Sequence, residues 1–485
     1  MNKLFVMSAV AATVLASACT LEPRYRRPDA PVSAGYPDAQ AAADAQTAAA
    51  DIGWRDFFAD PRLRKLVEIA LANNRDLRVS VLNIEAARAQ YRIQRADLFP
   101  AIDGSGTGTG QRTPDDLTSD PSHNVSHNYS VGVGFTSYEL DLFGRVRSLN
   151  HQALETYLGY EETRRSAQIA LVAEVANAYL SLLSDQALLQ MTQDTFDSQQ
   201  NSYDLTQKSF DAGTIGALDL RQAQTTLETA RANLAQYRRQ VALDRNALVL
   251  LIGVPSLPAD LPEGRDLDTQ ELLTDLPAGV PSEVLTRRPD VLAAEHSLIA
   301  ANANIGAARA AFFPRITLTG SYGTASSEFK GLFNSGSDAW SFTPTITVPI
   351  FNGGANIANL DLAKVQKNIT VAQYGKAVQT AFREVADALD SRSTLDEQLA
   401  AQQKLLEATS ESYKLADMRF RAGVDDFLSV LDAQRSLYSA QQGYITIKLS
   451  RQQNLVTLYK TLGGGWNERT VAQNNSSQGG APAAQ

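Results

Sequence analysis

An internal duplication that runs through most of the chain constrains its fold more than any other feature. Residues 209–224 read SFDAGTIGALDLRQAQ and residues 419–434 read RFRAGVDDFLSVLDAQ. An offset of 210 residues relates three glycine pairs: Gly144 and Gly354, Gly213 and Gly423, and Gly253 and Gly463. This period is too long for a solenoid of short repeats, so the sequence predicts two copies of one folding unit.

The register of the duplication changes once. Residues 95–102, RADLFPAI, match residues 309–316, RAAFFPRI, which places Pro100 opposite Pro314. The change in offset falls between Pro100 and Gly144. Since insertions are tolerated mainly in surface loops, this interval is predicted to contain a loop.

Each copy is predicted to contain two strands. Residues 340–351 alternate apolar side chains with serine and threonine, and so does the segment at about 127–141. Their partners are expected at about 314–323 and at about 101–111, where glycine is frequent. The alternation fits half-buried strands of a soluble sandwich, but it also fits membrane-barrel spans of about 9 to 11 residues.

A barrel in lipid has no open edge, and four strands are too few to close one. Two chains would give eight strands, and a barrel of about eight strands is filled by its own side chains. A transport lumen therefore favours three chains. Pro344 has no amide hydrogen, so the strand predicted at 340–351 has one fewer hydrogen-bond donor for pairing with a neighbouring strand.

The remaining periodic segments predict helices, including one with no proline between residues 145 and 212. That helix would be about 100 Å long at about 1.5 Å per residue. A coiled coil is the alternative, but two shorter helices could stack end to end to match it, which favours a helical tube. The helices are expected at about 60–98, 145–212 and 217–252 in the first copy, and at about 284–312, 355–422 and 427–462 in the second.

The N-terminus predicts export. Residues 1–18 carry Lys3, an apolar run and small residues before Cys19, which is the only cysteine, and they are interpreted as a signal peptide. Cys19 lies where a lipoprotein signal places its acylated residue, although an ordinary A-x-A cleavage site is the alternative. No later stretch is expected to cross a membrane as a helix.

Composition excludes several classes of function. A net charge of −9 argues against a nucleic-acid partner. The histidines, His123, His127, His151 and His296, are scattered, so no metal site is predicted. Neither a phosphate loop nor a nucleophile with its base is present, so no catalytic residue, enzyme activity or cofactor is expected beyond acyl chains on Cys19. Only 4 methionines favour multidrug export over copper export.

The chain resembles the TolC and OprM type of outer-membrane factors, in the lipoprotein branch that serves RND efflux pumps. The resemblance rests on six segments: CTLEPRYRRPDAP from Cys19, IGWRDFFADPRL from Ile52, YELDLFGRVR from Tyr138, AGTIGALDLRQAQ from Ala212, RRPDVLAAE from Arg287 and FRAGVDDFLSVLDAQRS from Phe420.

The resemblance implies a mixed α and β fold with internal tandem duplication, in which three chains form a long-helix α-barrel and a transmembrane β-barrel. It implies an outer-membrane location extending into the periplasm, and a periplasmic adaptor and an inner-membrane RND transporter as partners. The passive duct would carry drugs or other toxic small molecules. The implied domains are an N-terminal lipid-anchored equatorial segment (19–59), repeat 1 (60–253), an equatorial linker (254–283), repeat 2 (284–463), and a C-terminal equatorial segment with a disordered tail (464–485).

The resemblance also places a periplasmic gate. Leu428 and Asp432 match family positions that form an apolar constriction and an acidic ring, and they stand four apart on one helix face. Nearby candidates are Asp425, Asp426, Arg419 and Arg421, the arginines as electrostatic locks. Gly213 and Gly423 are predicted to form the tip turns. The alternative is that Leu428 is a helix contact and that the aspartates cap the turn or face water.

A second hypothesis is a periplasmic coiled-coil lipoprotein scaffold that tethers envelope layers without a pore. It accounts for Cys19 and the helices. It leaves the paired amphipathic strands of both copies unexplained, so the channel is preferred.

Overall fold

The computed structural model describes residues 20–33, 35, 49–114, 116–117, 125–273, 276 and 287–470. The long helices are α1 (Pro61–Asn73), α2 (Arg75–Ala96), α3 (Arg145–Asp211), α4 (Ala217–Ile252), α5 (Pro289–Ala310), α6 (Ala355–Arg421) and α7 (Phe427–Thr461). The strands are β1 (Asp103–Arg112), β2 (Val125–Leu140), β3 (Arg315–Ser326) and β4 (Asp338–Thr347).

The single helix expected over residues 60–98 is wrong, because Asn74 divides it into α1 and α2. Asn74 leaves the helical conformation with φ −59° and ψ 132°. Its Oδ1 accepts a hydrogen bond from the Leu77 amide at 2.9 Å, and its Nδ2 donates to the Leu251 carbonyl at 2.8 Å. One side chain therefore caps the start of α2 and joins it to the end of α4.

Two other elements differ in extent from expectation. Strand β4 ends at Thr347 rather than at 351, and Pro349 just beyond it has no amide hydrogen for a ladder. Helix α5 begins at Pro289 rather than at 284; residues 284–286 lie outside the described part of the chain. Proline suits the first turn of a helix, where its missing amide hydrogen costs no hydrogen bond.

The four strands form one antiparallel sheet in the order β1-β2-β3-β4. Cross-strand pairs separate its two faces. Val133 lies opposite Tyr322, which lies opposite Trp340, and this face is apolar. The other face carries hydroxyl groups, with Oγ1 of Thr107 2.6 Å from Oγ of Ser130. The register therefore separates apolar and hydroxyl side chains, as the alternation predicts.

Strand β1 forms despite its glycines because larger β2 side chains cover them. Gly108 pairs with Tyr129 and Gly110 with His127. A Cβ atom added at Gly108 would lie 3.3 Å from the Tyr129 ring, and one at Gly110 would lie 3.1 Å from the His127 ring. The glycines thus make room for cross-strand rings, which stabilise the pairing.

The chain divides into two compact units, each made of three segments. The first, residues 1–30, 82–162 and 292–376, contains the sheet. The second, residues 31–81, 163–291 and 377–485, contains a hydrophobic core in which Val175 and Val385, equivalent in the two copies, are both fully buried.

Within the second unit, the buried carboxylate of Asp60 organises the region around α1. It accepts hydrogen bonds from the Arg62 amide at 2.7 Å, the Tyr179 hydroxyl at 3.0 Å, the Arg265 amide at 3.0 Å and the Gln270 amide group at 2.6 Å. Asp60 thereby caps α1 and fixes the linker that follows α4 against α3.

Among the described residues, one helix is long and apolar enough to cross a membrane by length and composition. It is α3, where an 18-residue stretch has a mean hydropathy of 1.3 and is 56% buried. Val172, Val175 and Leu180 of α3 lie in the hydrophobic core. Core packing therefore accounts for its hydropathy.

The duplication is visible in the backbone. All six glycines of the three aligned pairs have positive φ: Gly144 77° and Gly354 86°, Gly213 72° and Gly423 74°, Gly253 71° and Gly463 84°. This left-handed conformation costs glycine little and other residues more. The two copies therefore repeat their turns as well as their sequence.

Candidate functional site at the helix turns

Two equivalent turns end the longest helices, α3 at Gly213 and α6 at Gly423. The Gly213 amide donates to the Phe210 carbonyl at 2.8 Å, and the Gly423 amide donates to the Phe420 carbonyl at 2.9 Å. In each turn the next amide donates to the carbonyl five residues earlier, at 3.0 and 2.9 Å respectively. This is the Schellman arrangement, in which a left-handed glycine closes the helix end.

The turn after α6 carries a charged clamp. Arg419 Nε lies 2.6 Å from Asp425 Oδ2, and its terminal nitrogen lies 2.8 Å from Asp425 Oδ1. This two-pronged geometry is the favoured one for arginine and carboxylate. The hydrogen bonds from Arg419 lower the pKa of the Asp425 carboxyl below its ordinary value. Asp425 is therefore ionised at neutral pH and bridges the turn.

Asp426 caps the next helix. Its Oδ1 accepts hydrogen bonds from the Ser429 amide at 3.1 Å and from the Ser429 hydroxyl at 2.9 Å. This is the capping role that the sequence left open as an alternative for the aspartates.

The two principal gate candidates lie on the first turns of α7 with exposed side chains. Leu428 is 42% exposed. Asp432 Oδ1 lies 2.9 Å from Arg435, three residues along the same helix, and both side chains are more than half exposed. In a single chain these groups therefore present an apolar side chain and an acidic side chain to their surroundings.

Arg421 does not join the gate candidates. Its Nε lies 2.9 Å from Asp417, four residues earlier on α6. The expectation that both arginines would lock the aspartates of the turn therefore has a geometric basis for Arg419 only. Sequence analysis also missed Arg435, although its spacing of three residues from Asp432 favours an ion pair on one helix.

The first copy lacks the arginine and aspartate set of the second, although one of its equivalent positions, Asp211, is also charged. At the offset of 210, Leu428 corresponds to Leu218, so the apolar position is shared. The charged positions 419, 421, 425, 426 and 432 correspond to Ser209, Asp211, Ile215, Gly216 and Gln222. Duplication gave both turns the same backbone, and only the turn after α6 carries the arginine and aspartate set.

The residues that follow Cys19 are bound to helices of the first unit, although Cys19 itself lies outside the described residues. The Leu21 carbonyl accepts from Arg309 at 3.0 Å, and the Pro23 carbonyl accepts from Asn302 at 2.7 Å. Arg27 lies 2.6 Å from Glu295, which also accepts from the Tyr25 hydroxyl at 2.9 Å. Segment 20–27, called the N-terminal strap below, is thus held by polar contacts.

Two histidines that look isolated in the sequence meet beneath the strap, which corrects the expectation of scattered surface histidines. His296 Nδ1 lies 2.7 Å from Glu155, and His151 Nε2 lies 3.4 Å from the same carboxylate. His151 Nδ1 is also 3.1 Å from Glu22 of the strap. No cluster able to hold a metal ion occurs among the described residues, so these are ion pairs of the fold.

Hydrogen bonds and burial shift the pKa values of this network. Hydrogen bonds to Glu155 and Glu22 raise the pKa of His151 to about 10. Burial raises the pKa of Glu155, but hydrogen bonds from His151 and His296 outweigh burial and lower it to about 2. His151 and Glu155 are therefore both charged at neutral pH.

The sequence matches the family described as "Outer membrane efflux protein" over residues 66–254 and 280–464. The two matched ranges correspond to the two copies of the duplication. This chain is an outer membrane efflux protein.

Two relatives of this efflux protein come from Pseudomonas putida. One is named "Toluene efflux pump outer membrane protein TtgC" and the other "Antibiotic efflux pump outer membrane protein ArpC". Each is 50% identical over 480 residues, which is 98% of this chain and 99% of the relative.

A solved structure shares the fold. The open state of the MtrE outer membrane channel from Neisseria gonorrhoeae is 43% identical, with a TM-score of 0.86 over 93% of this chain and 100% of that one. The efflux protein described here therefore lies in the outer membrane and is the channel component of an efflux pump. These relationships favour the channel over a scaffold without a pore.

Proposed function

We propose that three copies of this efflux protein close into a passive exit duct, which receives toxic small molecules from an inner-membrane RND transporter through a periplasmic adaptor. The single observation that carries this is the sheet. It has four strands with open edges at β1 and β4, and its apolar face is exposed. In lipid such edges must be paired, and three chains would supply twelve strands around a wet lumen.

The substrate class is drugs and apolar solvents. The names of the two relatives refer to antibiotics and to toluene. A passive duct of this kind would discriminate little between them, and selection would rest with the transporter. The role requires no catalytic residue and no cofactor.

Two features would attach and control the duct. Acyl chains on Cys19 would anchor it, because the strap that follows is bound firmly to α5. Leu428 and Asp432, with Asp425 held by Arg419, would form the closed aperture, because of the two equivalent turns it is the one after α6 that combines an exposed apolar side chain with a charged clamp.

Replacing Leu428 by alanine and Asp432 by asparagine should raise single-channel conductance in planar bilayers, since the aperture would lose both its apolar and its acidic ring. The protein is first checked as a trimer by light scattering. The matched control replaces Leu218 and Gln222, the equivalents in the first copy, by alanine, and a smaller change is expected.

Conductance equal to that of the unmodified protein would show that Leu428 and Asp432 do not form the gate, and it would leave the proposal of a duct standing. A protein that is monomeric and silent in bilayers would reject the duct itself.

A further inference from the structure

A cleft of about 700 Å³ lies wholly within the second unit, between α3, α6, α7 and the linker that follows α4. Small-molecule sites in proteins have volumes of roughly 300 to 1,000 Å³. The cleft is distinct from the turns at Gly213 and Gly423, whose residues do not line it.

Aromatic and aliphatic side chains form much of its wall. Tyr413 comes from α6, Tyr438 and Tyr444 from α7, and Met191 from α3. The Tyr438 hydroxyl lies 3.0 Å from the Thr192 hydroxyl, which fixes that ring in place. The faces of such rings are electronegative and attract cations.

Three carboxylates share the cleft with the rings. Asp268 lies 2.5 Å from the ammonium group of Lys448, and that ammonium is 5.5 Å from the centre of the Tyr444 ring. The chain therefore already holds one cation of its own between a carboxylate and a tyrosine at the edge of the cleft. The other carboxylates and tyrosines that line the cleft could hold a second cation in the same way.

The other two carboxylates lack such a partner. Within the described part of the chain, neither Asp194 nor Asp266 forms an ion pair, and Asp194 accepts a hydrogen bond only from Gln190, at 2.9 Å. A purely apolar ligand would strip water from these charges without replacing it, and an anion would be repelled.

We propose that this cleft is a binding site for an amphipathic organic cation. Its positive group lies between Asp194 and Asp266, and its apolar body lies against Tyr413, Tyr438 and Met191. The proposal goes beyond the exit-duct function, because it assigns a ligand to the helical wall and does not depend on whether the duct conducts.

The cleft chemistry is not a by-product of the duplication. At the offset of 210, Asp194 corresponds to Lys404, and Tyr438 corresponds to Glu228. The equivalent positions therefore carry the opposite charge in one case and no ring in the other. Because the cleft is formed by helices of both copies, a cationic ligand would be recognised here and not at the equivalent pair of positions.

The test is isothermal titration of the intact, detergent-purified protein with tetraphenylphosphonium, compared with tetraphenylborate, an anion of nearly the same shape. Saturable binding of the cation at one site per chain is expected, with no saturable binding of the anion. Asp194→Asn combined with Asp266→Asn should weaken cation binding by about tenfold, since two ion pairs are lost.

The matched control is Asp197→Asn. Asp197 lies on the same helix, accepts from Gln193 at 2.9 Å as Asp194 does from Gln190, and does not line the cleft. This variant should bind the cation as the unmodified protein does. Equal weakening in both asparagine variants, or no saturable binding at all, would overturn the proposal.

A second variant, Leu406→Trp, fills the cleft while leaving every carboxylate in place. Its trimer mass is checked first, and loss of cation binding is expected. Undiminished binding would place the cation elsewhere and also overturn the proposal. A protein that binds the cation but is silent in bilayers would instead reject the duct and retain this site.

Discussion

At the scale of single residues, the two turns show how much depends on one torsion angle. Gly213 has φ +72°, and a Cβ atom added there would meet nothing within 4 Å. The requirement for glycine is therefore conformational rather than steric. Gly216, three residues on, has φ −85° at the start of α4, which any residue adopts, so the two glycines differ in necessity although both lie in one exposed turn.

Gly213→Ala should destabilise the turn by about 1 to 2 kcal/mol, the cost of placing a side chain in the left-handed region. Hydrogen exchange measured by mass spectrometry should then be roughly 5 to 30 times faster at the turn amides. Gly216→Ala is the control and should change exchange little. If both variants exchange alike, the left-handed turn is not what stabilises this helix end.

At the scale of elements, the N-terminal strap is held by charges that are distant in sequence. Glu22 of the strap faces His151 of α3, while Arg27 faces Glu295 of α5. Gly306 of α5 allows the close approach, since a Cβ atom there would lie 2.9 Å from the Glu22 backbone. The strap and the helices thus fit together through ion pairs and through the absence of a side chain at Gly306.

This network predicts a pH dependence whose sign follows from its pKa values. Because the folded-state pKa of His151 is about 10 and its ordinary value is 6.5, its contribution is complete below pH 6.5 and is lost as pH rises through about 10. The folded-state pKa of Glu155 is about 2 and its ordinary value is 4.5, so its contribution is present above pH 4.5 and is lost as pH falls towards 2.

The melting temperature of His151→Gln should therefore differ most from that of the unmodified protein between pH 4.5 and 6.5, and the gap should shrink towards pH 10. Since His151 is 38% exposed, solvent screening limits its contribution to about 1 kcal/mol. His127→Gln, on strand β2 and outside the network, is the control. If the difference in melting temperature between His151→Gln and the unmodified protein does not vary with pH, the ionised pairing is contradicted.

At the scale of the whole molecule, the sheet supports the proposal that a single chain is incomplete. Both edge strands lack a partner among the described residues, and apolar side chains such as Trp340, 75% exposed, and Tyr322, 64% exposed, cover one face. In the proposed duct that face would meet lipid, and the hydroxyl face would meet water. Adjacent residues on one strand should then respond in opposite ways to the same substitution.

Val131→Arg should reduce insertion into the outer membrane, because an arginine on the lipid face costs about 2 to 4 kcal/mol near the bilayer centre. Ser130→Arg, one residue away on the hydroxyl face, should still insert and should change conductance instead. Heat-modifiable trimer in the outer-membrane fraction measures the insertion of both variants, and single-channel recording measures the conductance of the Ser130 variant. Normal insertion of the Val131 variant would show that this face does not contact lipid.

The sequence by itself determined the elements of the fold, because the alternation in each strand and the absence of proline between residues 145 and 212 leave few alternatives. Because the unit is duplicated, the sequence also places Gly213 and Gly423 in equivalent turns. The break at Asn74 was missed, since one asparagine in a periodic helix carries little signal until its cap partners are seen.

Only the tertiary structure decided which side chains meet. His151 and His296 are far apart in the chain, and their common contact with Glu155 depends on how α3 and α5 pack. The same holds for the pairing of Arg419 with Asp425 across the turn. Arg421 pairs instead with Asp417, four residues earlier on α6, because residues two apart lie on opposite sides of a helix. Periodicity is a local property of the chain and is encoded residue by residue, whereas ion pairs and clefts depend on distances that the sequence does not contain.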